Sequence, residues 1–217
     1  MDFTLETVSG YSIIVAVIYS LLRKSKMDPV YIPFLALIWV GFVNEFISDL
    51  SIKYFRTNAP NGNIYVLAEA LFIMWQFKKW RLFNKPIVYI VLSGSFLLVW
   101  LCECFLFSSI YRFFTYYRIY YSFVVVLMSI QMVNELITTE QKSIIKNPAF
   151  LICVGFILYF TVKVLVEIFY IYGLMLSGSE FRRRIYKISV FVNIFSNLIF
   201  TLAVLWMPRK QKFIPQS

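Results

Sequence analysis

Long apolar stretches alternate with short polar connections along this chain of 217 residues. A membrane-spanning helix needs about 20 mainly apolar residues. On this basis we predict seven such helices, numbered as spans one to seven in chain order: Val8–Leu22, Val30–Leu50, Ile64–Phe77, Pro86–Phe107, Phe113–Ile137, Pro148–Leu176 and Arg184–Met207. The first and third stretches are shorter than about 20 residues, and we expect flanking polar residues to complete their turns. Pro29, Pro86 and Pro148 fall in the first turns of spans two, four and six, where helices tolerate proline. The pattern predicts an all-α polytopic membrane bundle that forms one domain over residues 1–217.

The composition agrees with a membrane location. Hydrophobic residues make up 60% of the chain, whereas soluble domains usually contain about 45–50%. Aromatic residues reach 20%, as is typical of proteins with aromatic belts at both membrane surfaces. We therefore expect membrane lipids to cover much of the apolar surface.

Basic residues predict the orientation of the bundle. Twelve Lys and Arg residues lie on the side of connections 1–2, 3–4, 5–6 and the C-terminal tail, and six lie on the opposite side. The positive-inside rule then places the N-terminus outside and the short tail, residues 208–217, in the cytoplasm. Arg182, Arg183 and Arg184 favour the opposite orientation, because they lie on the side that is predicted to be outside. Because topology accounts for the net charge of +10, the sequence does not indicate a nucleic-acid partner.

The connections and the polar composition narrow the classes of function. The connections between spans are no longer than about 15 residues, so they leave no room for a separate catalytic or nucleotide-binding domain. The chain has no His, and Cys102, Cys104 and Cys153 lie within apolar segments. We therefore predict no metal site, no cofactor and no catalytic residue, and we expect output to pass through the helices or through a membrane protein partner.

Ionisable residues inside spans are costly and are candidates for function. Given the predicted orientation, most of them gather in the outer half of the bundle, with Glu69 the strongest candidate because apolar residues flank it. The simplest interpretation is a polar cavity that opens outward and binds a small molecule. Its predicted ligand-binding residues include six charged residues, two tyrosines and one amide: Glu45, Glu69, Glu103, Arg118, Lys163, Glu167, Tyr65, Tyr121 and Asn193.

Several of these residues also have a structural interpretation. Lys163 and Glu167 are four residues apart on one helix and could neutralise each other. Asn193 belongs to a polar stripe with Ser189 and Asn197, and such stripes usually join helices by hydrogen bonds. Both interpretations remain open at this point.

Short motifs resemble a known family. Three segments are similar to segments of a family of small bacterial seven-span proteins that has no assigned activity. They are the stretch 63–72 (NIYVLAEALF), Asn44-Glu45-Phe46, and the final span with Asn193, Ser196 and Asn197. The resemblance implies a bacterial inner-membrane location and brings no function.

Three functions fit this pattern. We favour a small-molecule sensor or signalling accessory that acts through a partner, because the polar residues cluster at one side of the membrane. The first alternative is a transporter or channel for small solutes, which needs a polar path through the inner half as well. The second is an intramembrane lipid-modifying enzyme that uses carboxylates for acid–base chemistry, which we favour less because the sequence lacks a catalytic motif.

Overall fold

The computed structural model of the chain describes residues 8–23, 27–139, 144–171 and 179–208. Within these ranges the secondary structure is helical, without a β-strand. Residues 8–11 form a helical turn that leads into the first long helix. We label the α-helices in chain order: α1 Ile14–Arg23, α2 Ile32–Phe55, α3 Ala59–Lys79, α4 Pro86–Cys102, α5 Thr115–Thr139, α6 Pro148–Ile171 and α7 Ser179–Trp206. The all-α prediction is confirmed.

Five helical segments of the described chain are long and apolar enough to cross a membrane: Pro29–Phe55, Pro86–Phe107, Thr115–Thr139, Pro148–Ile171 and Lys187–Trp206. The segment Val8–Leu22 is apolar but shorter. The chain is therefore a helical membrane protein whose apolar helices contact lipid. The count of seven spans and the orientation stay predictions.

α3 is long enough to cross a membrane but is less apolar than its neighbours, and three of its polar side chains point into the protein. Its 21 residues span about 31 Å at 1.5 Å per residue. Asn63, Glu69 and Gln76 are all buried, with 0%, 5% and 1% of their surface exposed. A helix whose polar residues face other helices does not need to be apolar all round.

Proline and capping interactions define where several helices begin. Pro86 and Pro148 are the first residues of α4 and α6, as the sequence predicted. Pro29 instead begins a short 3₁₀ turn, Pro29–Tyr31, that leads into α2. The Asp28 side chain caps this turn by accepting a hydrogen bond from the Val30 N–H at 2.9 Å. At its other end α2 stops at Arg56, which adopts a left-handed conformation that usually ends a helix.

The helix contacts define a closed ring. α1 packs against α2, α2 against α3, α3 against α5, α5 against α6, α6 against α7, and α7 returns to α1. α4 lies outside this ring and contacts α3 and α5. The ring encloses an interior space lined by side chains of α2, α3, α6 and α7 and by Gly10 and Ile13 of the segment just before α1.

The helices differ from the predicted spans mainly at their polar ends. α3 begins at Ala59 rather than Ile64, because the first turns contain Asn61 and Asn63, which are polar but hydrogen-bonded within the protein. α2 continues past Leu50 to Phe55. The predicted end of span six at residues 172–176 and most of the predicted tail, residues 209–217, lie outside the described residues.

Candidate functional site

Glu69 lies at the middle of α3, about 15 Å from its first residue. Its Oε2 accepts hydrogen bonds from the Tyr121 hydroxyl of α5 at 2.5 Å and from Lys163 Nζ of α6 at 3.0 Å. Its Oε1 accepts a third from Tyr65, one turn earlier on α3, at 3.2 Å. Lys163 Nζ also donates to the Tyr121 hydroxyl oxygen. One carboxylate thus joins three helices, and it brings together four of the residues that the sequence predicted.

Lys163 is held by aromatic rings as well as by Glu69. Its Nζ lies 5.0 Å from the ring centre of Tyr121, 5.1 Å from that of Tyr159 and 5.3 Å from that of Phe160. Cations within about 6 Å of an aromatic ring face are attracted by the ring quadrupole. The Lys163 and Glu69 side chains are only 13% and 6% exposed, so this ion pair is buried.

A second interhelical ion pair lies one turn further along α6. Arg118 Nη1 of α5 donates to Glu167 Oε1 of α6 at 3.5 Å, and the two side chains are 16% and 13% exposed. The Arg118 guanidinium also lies 4.7 Å from the Phe113 ring centre. The structure therefore does not contain the pair between Lys163 and Glu167 that their spacing suggested. Each of these residues pairs with a neighbouring helix instead.

The interior of the ring contains a cavity of about 100 Å³. A cavity holds a water molecule when it offers roughly 10–15 Å³, so this one has room for several waters or for a small molecule. Its polar lining comes from Glu45, Glu69, Tyr65, Tyr159, Asn193 and Asn197. The remaining lining residues are apolar or glycine: Gly10, Ile13, Phe34, Leu37, Ile38, Gly41, Phe156, Phe160 and Phe200.

Glu45 of α2 is the second carboxylate of the cavity, and it is partly buried. Among the described residues it has neither an ion-pair partner nor a hydrogen-bond partner, whereas Glu69 has Lys163 and two tyrosines. The helical turn before α1 passes so close that a Cβ added to Gly10 would lie 2.7 Å from Glu45 Oε2. Glu45 therefore lacks a basic partner in a cavity whose described lining contains no Lys or Arg.

Aromatic rings close the cavity on the side that is predicted to face the cytoplasm. We call Phe34, Phe77, Phe156 and Phe200 the aromatic floor. The Phe34 ring centre lies 6.1 Å from that of Phe156 and 5.4 Å from that of Phe200. Phe156 in turn lies 5.5 Å from Phe200 and 6.4 Å from Phe77. These rings are between 0% and 9% exposed, so the floor is tightly packed.

Two further predicted site residues have structural partners. Glu103, 3% exposed, accepts hydrogen bonds from the N–H groups of Tyr116 and Tyr117 at 3.2 and 2.5 Å and so caps the first turn of α5. Asn193 lines the cavity, and its amide donates to Ser9 Oγ at 2.9 Å and to the Ser9 carbonyl at 3.2 Å, which joins α7 to the turn before α1. The structure thus separates Glu103 from the cavity and keeps Asn193 at its wall.

Sequence reasoning missed the apolar part of the site. The aromatic floor comes from α2, α3, α6 and α7, and single phenylalanines in an apolar sequence carry no signal that they meet. Asn197 was predicted as part of the polar stripe on span seven but not as a binding residue. It donates to Ser12 Oγ at 2.7 Å and also lines the cavity, and its spacing of four from Asn193 is the signal that points to the same face.

Comparisons of the chain with protein-family models, curated proteins and solved structures returned no match. The cavity and the charges around it are therefore the features that indicate a function. The resemblance to a bacterial seven-span family stays a prediction.

Proposed function

We propose that this membrane protein is a sensor that binds a small polar molecule in its central cavity and responds by a shift of α6 relative to α3. One observation carries the proposal. Glu69 lines the cavity and at the same time holds α6 through Lys163 and α5 through Tyr121. A molecule that interacts with Glu69 from the cavity therefore competes with the groups that join these helices.

The second ion pair supplies an alternative state for α6. When a ligand occupies Glu69, Lys163 loses part of its attraction to α3. Glu167 lies one helical turn away on the same face of α6 and offers a carboxylate in its place. In that state Arg118 of α5 shares its partner with Lys163, and the packing between α5 and α6 changes. A ligand shifts such an equilibrium only by its difference in affinity for the two states, and competition for Glu69 provides that difference.

A receptor with so little structure outside its helices needs another protein to carry the signal. The described connections between helices are short, as between Phe55 and Ala59 or between Lys79 and Pro86. We propose a membrane protein partner that contacts the lipid-facing helices, and a bacterial inner-membrane location in line with the motif resemblance.

The aromatic floor favours binding over transport. A transporter or channel needs a polar path across the whole membrane. Below the cavity the helices instead meet through buried phenylalanine rings. Glu135 and Gln131, two polar residues of the opposite half of α5, are exposed at the surface and lie within hydrogen-bonding distance of each other at 3.4 Å.

Native mass spectrometry of the protein in lipid nanodiscs tests this proposal. We expect the wild type to carry a small bound molecule of defined mass that is lost in Glu69→Gln. The control is Glu135→Gln, which makes the same chemical change at an exposed position and should retain the molecule. A wild type that stays empty, both as purified and after incubation with a metabolite extract, would overturn the proposal.

A further inference from the structure

The lining of the cavity also indicates which class of molecule it takes. Resting on the proposed function, we infer that the ligand is a small organic ammonium ion whose charged nitrogen binds Glu45 and Glu69 while its carbon atoms contact the aromatic rings. Three features of the cavity support this class: the charge of its lining, its aromatic surfaces and its volume.

The charge of the cavity calls for a cation. Lys163 neutralises Glu69, but the described structure contains no basic group that pairs with Glu45. A carboxylate without a partner is costly within a membrane protein, and such residues usually pair with an opposite charge. A ligand with one positive charge supplies the missing partner. An anionic ligand would add a further negative charge beside Glu45 and Glu69.

The aromatic lining favours an organic cation over a metal ion. Rings of Phe34, Tyr65, Phe156, Tyr159 and Phe160 contribute to the cavity wall. Aromatic rings attract ammonium groups and also remove the adjoining carbon atoms from water. The wall already contains one such arrangement, because Tyr159 and Phe160 lie against the ammonium group of Lys163. A hard metal cation would need several oxygen ligands, and no group of His, Cys, Asp and Glu in the described residues could hold one.

The volume limits the ligand to a few carbon atoms. The cavity measures about 100 Å³, and a cavity of roughly 150 Å³ is known to hold benzene. Alkylammonium ions with short chains fit this space, whereas lipids and large polyamines do not. Hydroxyl and amide groups from Tyr159, Asn193 and Asn197 line the same space and are placed to accept or donate hydrogen bonds to the remaining polar atoms of the ligand.

Isothermal titration calorimetry on nanodisc-embedded protein tests the inference with three probes of nearly equal size: n-propylammonium, 1-propanol and propionate. Empty nanodiscs provide the background for partitioning into lipid. We expect n-propylammonium to bind the wild type and the other two to give no signal above background. Glu45→Gln should weaken its binding at least about tenfold, because a charged partner is lost. Tyr159→Leu should weaken it about threefold through loss of a ring face.

Control and alternative outcomes separate this inference from the proposed function. Glu135→Gln should bind n-propylammonium like the wild type, and thermal unfolding verifies that each variant is folded. Two results would overturn the assignment of an ammonium ligand: stronger binding of 1-propanol or propionate than of n-propylammonium, or an affinity of folded Glu45→Gln for n-propylammonium equal to that of the wild type. Neither result would contradict the proposal that the protein is a small-molecule sensor. Absence of binding by all three probes would also overturn it. The mass measurement described above decides the proposed function independently.

Discussion

The buried pair between Lys163 and Glu69 predicts a large and specific loss of stability when one partner is removed. Lys163→Met preserves much of the side-chain length but leaves the Glu69 carboxylate without its cation. The Lys163 and Glu69 side chains are only 13% and 6% exposed, so solvent screens the charges little. Breaking a buried pair typically costs about 3–5 kcal/mol in the free energy of unfolding.

A double-mutant cycle isolates the pair from other effects of the substitutions. The variants are Lys163→Met, Glu69→Gln and the combination, and the assay is reversible unfolding by sodium dodecyl sulfate in mixed micelles. Because the combined variant removes both charges of this pair, it should recover much of the stability that either single variant loses. The coupling free energy should reach about 2 kcal/mol or more.

The exposed pair between Arg184 and Glu180 on α7 provides a matched control. Its two atoms are closer, at 2.7 Å, but its side chains are 75% and 77% exposed. Exposed pairs of this spacing are worth about 0.3–0.5 kcal/mol, so the cycle with Arg184→Met and Glu180→Gln should give a coupling in that range. Equal small couplings for the two pairs would show that water reaches Glu69 and Lys163 freely, and would refute the reasoning about a buried network.

Three further substitutions have defined outcomes. Glu103→Ala removes the cap of α5 and should lower the free energy of unfolding by about 1–2 kcal/mol. The affinity for n-propylammonium should not change, and a large loss of affinity would show that Glu103 belongs to the binding site. Gly155→Ala places a methyl group where the Phe200 ring lies. It should lower the free energy of unfolding by about 1–3 kcal/mol in denaturant titrations and weaken ligand binding, whereas unchanged stability would show that the ring moves aside without cost. Asn193→Leu removes the hydrogen bonds to Ser9 and should lower the free energy of unfolding by about 0.6–1.7 kcal/mol in the same assay. Unchanged stability would argue against this contact between α7 and the turn before α1.

The sequence was sufficient to single out the charged residues of the interhelical network around Glu69, because ionisable groups within apolar stretches stand out. Glu69, Lys163, Tyr65 and Tyr121 were all predicted as site residues, and the structure brings these four together. Their depth along the spans indicated that they lie at a similar level of the bundle. The helical class followed from the same apolar stretches.

Pairings between helices could not be predicted, because the periodicity of one helix does not say which helix lies beside it. Lys163 has Glu167 four residues away in sequence, yet its partner is Glu69, 94 residues earlier. Glu103 looked like a residue near the membrane surface. Its role as a cap depends on the reversal of the chain between α4 and α5, which the sequence does not encode in any local motif.

The start of α3 was predicted too late for a related reason. Asn61 and Asn63 made residues 59–63 look like a connection, because polar residues lower the apolar signal. In the structure Asn61 donates to Asn44 and Ser48 of α2, and Asn63 donates to the carbonyls of Ile110 and Arg112. Partners from α2 and from the connection before α5 satisfy these amides, so the helix extends through them.

Competition between the ligand and Lys163 for Glu69 is the step on which the proposed sensing mechanism depends. The most direct measurement is the affinity of folded Lys163→Met for n-propylammonium in nanodiscs, compared with that of the wild type. The control is Lys187→Met, in which an exposed lysine is changed. Removal of the competing lysine should strengthen binding about tenfold, while Lys187→Met should behave like the wild type. An affinity for Lys163→Met that is equal to or weaker than that of the wild type would show that cavity ligands and α6 do not compete for Glu69.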